Sequence, residues 1–305
     1  MNNSEANTFT GAIYNASAVV LVIRLLISTV GVIANLVVIV VFLHNKSYKK
    51  NVPIKLLIHQ SVIDMVCSLL FTLALFKLKF ECLIRILGWY VAVTSSYNLV
   101  VITIERYFAV FFPVIYRQRK LKKTLLLYCI VSYLPGCILV VSNVIAYKHK
   151  EFFCNSDRKN INEIVSSLVC WIIPITIMTY CYGHILWKLY KKSVVRASRD
   201  RQSFGSRLKN NNILSTLLMV TSVYFVTVSP LYTCFLIDSL CSMCLEPILY
   251  SITSVFLALN FTINPFIYGM AFKEFQQGFL KLKKRVIPNF TCKARNTIQA
   301  QNNAE

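Results

Sequence analysis

Seven long apolar runs follow one another along the 305 residues, each about as long as the roughly 20 residues an α-helix needs to cross a bilayer. They lie at about 17–43, 54–76, 82–111, 124–146, 161–190, 210–237 and 246–269. Inside them the apolar residues run all the way round rather than alternating, which is the pattern of helices and not of an outer-membrane barrel. With 56% hydrophobic and 15% charged residues and a mean hydropathy of +0.58, the chain is not a water-soluble core with loops. The expected fold is an all-α membrane protein. A seven-transmembrane helix bundle fills residues 17–269, an outer tail residues 1–16, and a short amphipathic eighth helix with a cytoplasmic tail residues 270–305.

Basic residues set the orientation. Of the 33 Lys and Arg, 25 fall on one side, around Lys46 to Lys55, Arg106 to Lys123, Lys188 to Lys209 and Lys273 to Arg295. Eight fall on the other: Arg24, Lys77, Lys79, Arg85, Lys148, Lys150, Arg158 and Lys159. The richer side faces the cytoplasm, so the N-terminus is expected outside. The net charge of +21 is explained by this bias and by attraction to an anionic leaflet, and nucleic acid is not an expected partner. The first 16 residues carry neither a charged n-region nor a cleavage-site pattern, so the first run is expected to insert itself. Asn2 and Asn15 open glycosylation sequons on that outer tail. Beyond the last run, Phe272, Phe275, Phe279 and Leu282 recur at three- and four-residue spacing, an apolar stripe suited to the inner leaflet. Cys292 behind it is a palmitoylation candidate or a free thiol.

Charge within the runs is costly and points to function. Glu105-Arg106-Tyr107 closes the third run, and Asp64 stands in the middle of the second, where an unpaired carboxylate costs several kcal/mol. Asp64 therefore needs partners. Asn260 and Asn264 share a helix face, and Ser95 lies about three turns above Arg106. Together these side chains offer the oxygens that a small hard cation or trapped waters require. Pro174, Pro230 and Pro265 each remove a helix hydrogen bond and permit a kink.

The order of these residues on seven consecutive runs resembles the rhodopsin-like (class A) G-protein-coupled receptors. Gly31 to Asn35 resembles the family's first-span signature, Asp64 its second-span acid, and Glu105-Arg106-Tyr107 with Pro113 the end of its third span. Pro174 with Tyr182, Pro230, and Asn264-Pro265-Phe266-Ile267-Tyr268 resemble the fifth, sixth and seventh spans. The resemblance implies an extracellular ligand, outward tilting of the sixth helix and activation of a heterotrimeric G protein at the plasma membrane. Tyr182 and Tyr268 would meet Arg106 once the bundle opens. It also implies an allosteric sodium ion among Asn35, Asp64, Ser95, Asn260 and Asn264, with a hydrated polar knot holding no ion as the alternative.

Cysteines divide by topology. Cys82 atop the third run and Cys154 in the second outer loop are able to pair in an oxidising compartment, and Cys241 with Cys244 form a possible second bridge in the third outer loop. Cys67, Cys129, Cys137, Cys170, Cys181 and Cys234 read as small buried apolar residues.

Departures from the family pattern narrow the reading. Val228 and Tyr133 stand where the sixth and fourth spans usually carry tryptophan, and Asn210 stands where an acid often locks the third-span arginine. Gly88, eighteen residues before Arg106, replaces the aspartate of amine receptors, and Ala258 replaces the retinal-binding lysine of opsins. Trp89, Tyr90, Ser166, Leu231, Tyr232, Phe235, Tyr250 and Ser254 form the expected apolar and aromatic pocket, with Glu163, Asp238 and Glu246 as an acidic rim suited to a peptide or other cationic ligand. A seven-span transporter or proton relay using Asp64 and Arg106 is the alternative, although no inverted repeat supports it. An enzyme is not expected: His44, His59, His149 and His184 have no metal-ligand spacing, and no phosphate-cradling loop or nucleophile elbow is present.

Overall fold

The computed structural model describes residues 3–46, 52–76, 81–118, 121–146, 164–165, 167–197, 212–241 and 245–285. Among them are seven helices long and apolar enough to cross a membrane, with no strand among the described residues. The spans belong to helices Asn3–His44, Val52–Leu73, Glu81–Phe111, Leu121–Ala146, Ile173–Ala197, Asn212–Cys241 and Pro247–Ala271, called the first to seventh spans below. Five start and end within a few residues of the expected positions, while the fifth, expected at 161–190, has its α-helix at Ile173–Ala197 behind a π turn over Leu168–Ile172. The first differs: its helix runs unbroken through residues 3–16, so no helix end marks the expected boundary between outer tail and bundle.

Spans differ in how much of their surface neighbours cover. The third is 72% buried over its apolar stretch and the fourth only 17%, which makes the third the axis of the bundle and the fourth a rim helix. Cys129 and Cys137 on the fourth span are consequently exposed, contrary to the expectation that they are buried, whereas Cys67, Cys170, Cys181 and Cys234 are buried as expected. The exposed leucines, isoleucines and valines of the first and fourth spans fit a surface that faces lipid tails.

Close approach of the first, second and seventh spans requires a glycine. A Cβ on Gly31 would lie 2.5 Å from Thr262 Oγ1 and 2.6 Å from Ser68 Oγ. Prolines leave carbonyls without an amide partner, and two of these are met by a side chain from another span. Pro265 frees the Phe261 carbonyl, which accepts from Asn35 Nδ2 at 2.8 Å. Pro174 follows a π turn over Leu168–Ile172, and the Cys170 carbonyl there accepts from Tyr224 Oη of the sixth span at 2.8 Å. The same π turn presents Trp171, whose Nε1 donates to Ser229 Oγ at 3.0 Å, immediately before Pro230.

Residues 273–285 form the expected eighth helix. Phe272 and Phe275 are buried edge-on against Phe42 of the first span, at 5.8 and 5.7 Å between ring centres. Gln276 Nε2 donates to the last carbonyls of the seventh span, Gly269 at 2.9 Å and Met270 at 3.0 Å. Phe279 stacks on Phe275 but stays exposed, so the stripe is half core and half outward-facing surface.

Candidate functional site

Asp64 is fully buried in the second span and accepts three donors from the second, third and seventh spans. Ser95 Oγ donates to its Oδ1 at 2.8 Å, Gln60 Nε2 to the same oxygen at 2.8 Å, and Asn264 Nδ2 to Oδ2 at 2.8 Å. Two of the expected partners, Ser95 and Asn264, thus meet Asp64. Asn260 does not join them: its Oδ1 accepts from Thr227 Oγ1 of the sixth span at 3.2 Å. Asn35 is likewise turned away, onto Gly31 and Phe261 carbonyls.

Gln60, which the sequence reading did not single out, fills the centre of this knot. Its Nε2 also donates to Ser95 Oγ at 2.7 Å, so the amide nitrogen lies between the two oxygens nearest the third span. Its Oε1 accepts from Asn98 Nδ2 at 2.8 Å. Asn98 Nδ2 also points at the Leu56 carbonyl at 3.4 Å, an acceptor only, and that fixes which way the amide is turned. Asn98 Oδ1 then receives His59 Nδ1–H at 2.9 Å, and His59 Nε2 receives the Tyr133 hydroxyl at 2.8 Å. A single file of hydrogen bonds therefore runs from the fourth span to Asp64. A resident cation between Asp64 and Ser95 would face N–H groups rather than lone pairs, so these residues do not fit the sodium ion that the resemblance implies. Gln60 was legible in principle, since it lies one turn before Asp64 on the same face.

At the C-terminal end of the third span, the end expected to face the cytoplasm and called inner below, Glu105 is fully buried and forms an ion pair with Arg106, whose Nε donates to Glu105 Oε2 at 2.6 Å. The Tyr116 hydroxyl, carried by a short helix Pro113–Gln118 in the inner loop, donates to the other oxygen of Glu105. Arg106 Nη2 reaches the Tyr116 hydroxyl at 3.4 Å. Nearby, Lys188 of the fifth span donates to the Val110 carbonyl at 3.0 Å and covers the Phe111 ring at 4.2 Å. A cation there satisfies a helix-end carbonyl and complements the helix dipole. Tyr107 does not join the charges; it stacks on Phe111 at 4.4 Å. Tyr182 is buried beside Thr103, Thr221 and Arg106. Tyr268 is fully buried, and its hydroxyl has no hydrogen-bond partner among the described residues.

Toward the outer face, Trp89, Tyr232, Phe235 and Tyr250 form one aromatic cluster drawn from the third, sixth and seventh spans. Trp89 meets Tyr232 and Phe235 at 6.3 and 5.8 Å, and Phe235 meets Tyr250 at 5.7 Å. Tyr90 is not part of it: the ring stacks on Tyr133 at 6.4 Å, on the fourth-span side, because successive helix positions face different neighbours. Leu231 is buried in the core, and Ser254 bonds back to the Ser251 carbonyl. Asp238 is buried and accepts from the Leu245 amide at 3.4 Å, holding the outer turn rather than lining an exposed rim; Glu246 is exposed at the start of the seventh span. Ser166, Glu163, Cys154, Cys244, Cys292, Asn2 and Asn210 lie outside the described residues, as do the side chains of Cys82 and Asn15.

This arrangement on seven spans has counterparts among known proteins. The chain is 26% identical over 210 residues to "Trace amine-associated receptor 1" of Macaca mulatta, covering 60% of this chain and 61% of that receptor. It is 23% identical to "Octopamine receptor beta-1R" of Drosophila melanogaster over 65% of this chain and 46% of that one. The chain thus spans less than two thirds of either relative. A longer match, 21% identical over 90% of this chain and 84% of the other, is to "G-protein coupled receptor 183" of Bos taurus. These matches do not favour a transporter or proton relay, and they place the chain in a receptor class rather than a class of enzymes. The profile of the 7 transmembrane receptor (rhodopsin family) matches residues 34–268, well over half of the sequence, and the chain belongs to that family.

Proposed function

We propose that the protein is a plasma-membrane receptor, N-terminus outside, that converts binding of an extracellular ligand into nucleotide exchange on a heterotrimeric G protein. The observation that carries this reading is the inner end of the third span. Arg106 is held there by Glu105 and Tyr116, with Tyr182 beside it, while the buried hydroxyl of Tyr268 has no partner among the described residues. An orphaned buried hydroxyl costs about 1–3 kcal/mol, which is recovered if the bundle opens and the phenol finds a partner. Tyr268 and Pro265 on the seventh span, and Pro230 on the sixth, are the moving parts of this scheme. The agonist acts only through its preference for the open state.

The ligand is a peptide or small molecule seated on Trp89, Tyr232, Phe235 and Tyr250, with a Cys82–Cys154 bridge holding the outer loop above it. Two of the relatives bear the names of amines, but that chemistry does not transfer. Gly88 offers no carboxylate, and the space beyond its Cα is open to 4 Å. The test is a screen of peptide and small-molecule libraries on cells expressing the chain, reading guanine-nucleotide exchange, with Arg106→Ala at equal surface density as control. Hits that stimulate the parent and not the variant support the reading. Ligand-driven solute flux with no exchange on any G protein overturns it.

A further inference from the structure

The polar centre of the bundle carries a group that does what a bound cation would do. A buried carboxylate shared among helices needs positive character close to its oxygens, and an ion, a water cluster or a fixed N–H dipole can each supply it. In this chain Gln60 Nε2 lies 2.8 Å from Asp64 Oδ1 and 2.7 Å from Ser95 Oγ, oxygens of the two residues that would hold an ion. Asn264 Nδ2 takes the other carboxylate oxygen. Donors from three spans thus converge on Asp64 with no ion required.

Gln60 is also held in that orientation from behind. Turning its amide over would set Oε1 against the carboxylate and two N–H groups against Asn98 Nδ2, breaking the 2.8 Å bond between them. Asn98 cannot turn to accommodate this, because the Leu56 carbonyl faces its Nδ2 while His59 and Ser132 donate to its Oδ1. The tautomer of His59 follows from this, Nδ1–H donating to Asn98 and Nε2 accepting from the Tyr133 hydroxyl. The Leu56 carbonyl and the Asp64 carboxylate, which only accept, dictate the direction of the bonds through Asn98 and Gln60.

We propose that Gln60 is a tethered substitute for a cation: its amide closes the Asp64–Ser95 site, makes the resting bundle insensitive to sodium, and is held in place by the positioning residues Asn98, His59 and Tyr133. Residue 60 thereby decides whether this receptor's centre answers to an ion. Removing the amide opens a space beside a carboxylate that has lost a donor, and a small hard cation is the chemistry that fits it. Loosening Asn98 lets the amide swing and admits the ion in part. The inference concerns the ligand-free bundle alone, so it stands or falls independently of whether a G protein couples.

The experiment is thermal unfolding of the purified full chain in detergent, in equimolar sodium, potassium or choline chloride. The parent is expected to unfold at the same temperature in all three. Gln60→Ala is expected to be less stable than the parent yet to gain about 2 °C or more in sodium over potassium, a shift that appears when an ion binds the folded state only. Adding Asp64→Asn to that variant removes the gain. Asn98→Ala gives a smaller sodium response of the same sign. Gln60→Val, which removes the donors and still leaves room beside the carboxylate, serves if the alanine variant does not fold. Sodium-specific stabilisation of the parent that is lost in Asp64→Asn would overturn the proposal. So would the absence of any sodium response in both residue-60 variants.

Discussion

The middle of the bundle and its inner end each bury an acid, and they hold it in opposite ways. Asp64 is surrounded by neutral donors from the second, third and seventh spans, so its bonds tie spans to one another. Glu105 is held by its own sequence neighbour Arg106 and by Tyr116, only a few residues on in the inner loop. The bonds of Asp64 therefore join three spans, whereas these bonds of Glu105 run within the third span and to the loop helix that follows it. A receptor needs both: a core that survives the transition and an end that changes partners during it.

The contrast predicts that equal substitutions have unequal effects. Asp64→Leu strands Ser95, Gln60 and Asn264 in a buried site, and the loss should reach about 3 kcal/mol or more, read as a fall in unfolding temperature in detergent. Tyr116→Phe, at the inner end, should lower that temperature by about half as much or less. It removes a hydrogen bond to a charged group, about 1.5 kcal/mol, and should raise ligand-free nucleotide exchange about tenfold if the bond exists only in the closed state. A large drop in stability from Tyr116→Phe would erase the distinction between the two regions.

A smaller effect is expected between them. Val228 is buried where the family usually places an indole, but Trp171 of the fifth span reaches Ser229 one residue away. That bond links the π turn to the flank of Pro230, the hinge of the sixth span. Trp171→Phe should loosen the closed state by about 1 kcal/mol and raise ligand-free exchange about fivefold. No change would mean the indole is packing and not a brake.

How much of this was legible in the sequence depends on the range of the contacts. The seven spans follow from the long runs that are apolar all round, because a backbone in lipid must bond to itself as a helix or a closed barrel and these runs lack a barrel's alternation. The meeting of Asp64, Ser95 and Asn264 was legible too, since a buried charge must find partners and few polar residues lie at its depth. Asn260 was misplaced because helix spacing says which residues share a face, not which neighbour that face meets; here it meets Thr227. Tyr90 was assigned to the aromatic cup and packs on Tyr133 for the same reason. Tyr116 was invisible, because its position depends on a loop helix that only the fold places. The carbonyls freed by Pro265 and Pro174 had a readable signal, four residues before each proline, but their partners Asn35 and Tyr224 come from other spans.

How firmly the inner end holds Arg106 at rest is tested most directly by ligand-free guanine-nucleotide exchange in membranes matched for receptor density. Val228 and Asn210 both remove a customary brake, although Glu105 and Tyr116 retain Arg106 in the resting state. The parent should therefore exchange nucleotide above the level of untransfected membranes. Asn210→Glu, which supplies an acid where the family often pairs one with the third-span arginine, should lower that rate about fivefold or more, as a charge pair of about 1–3 kcal/mol requires. Arg106→Ala should abolish it. Exchange equal to untransfected membranes, and unmoved by Asn210→Glu, would contradict the account and show that the closed state is held elsewhere.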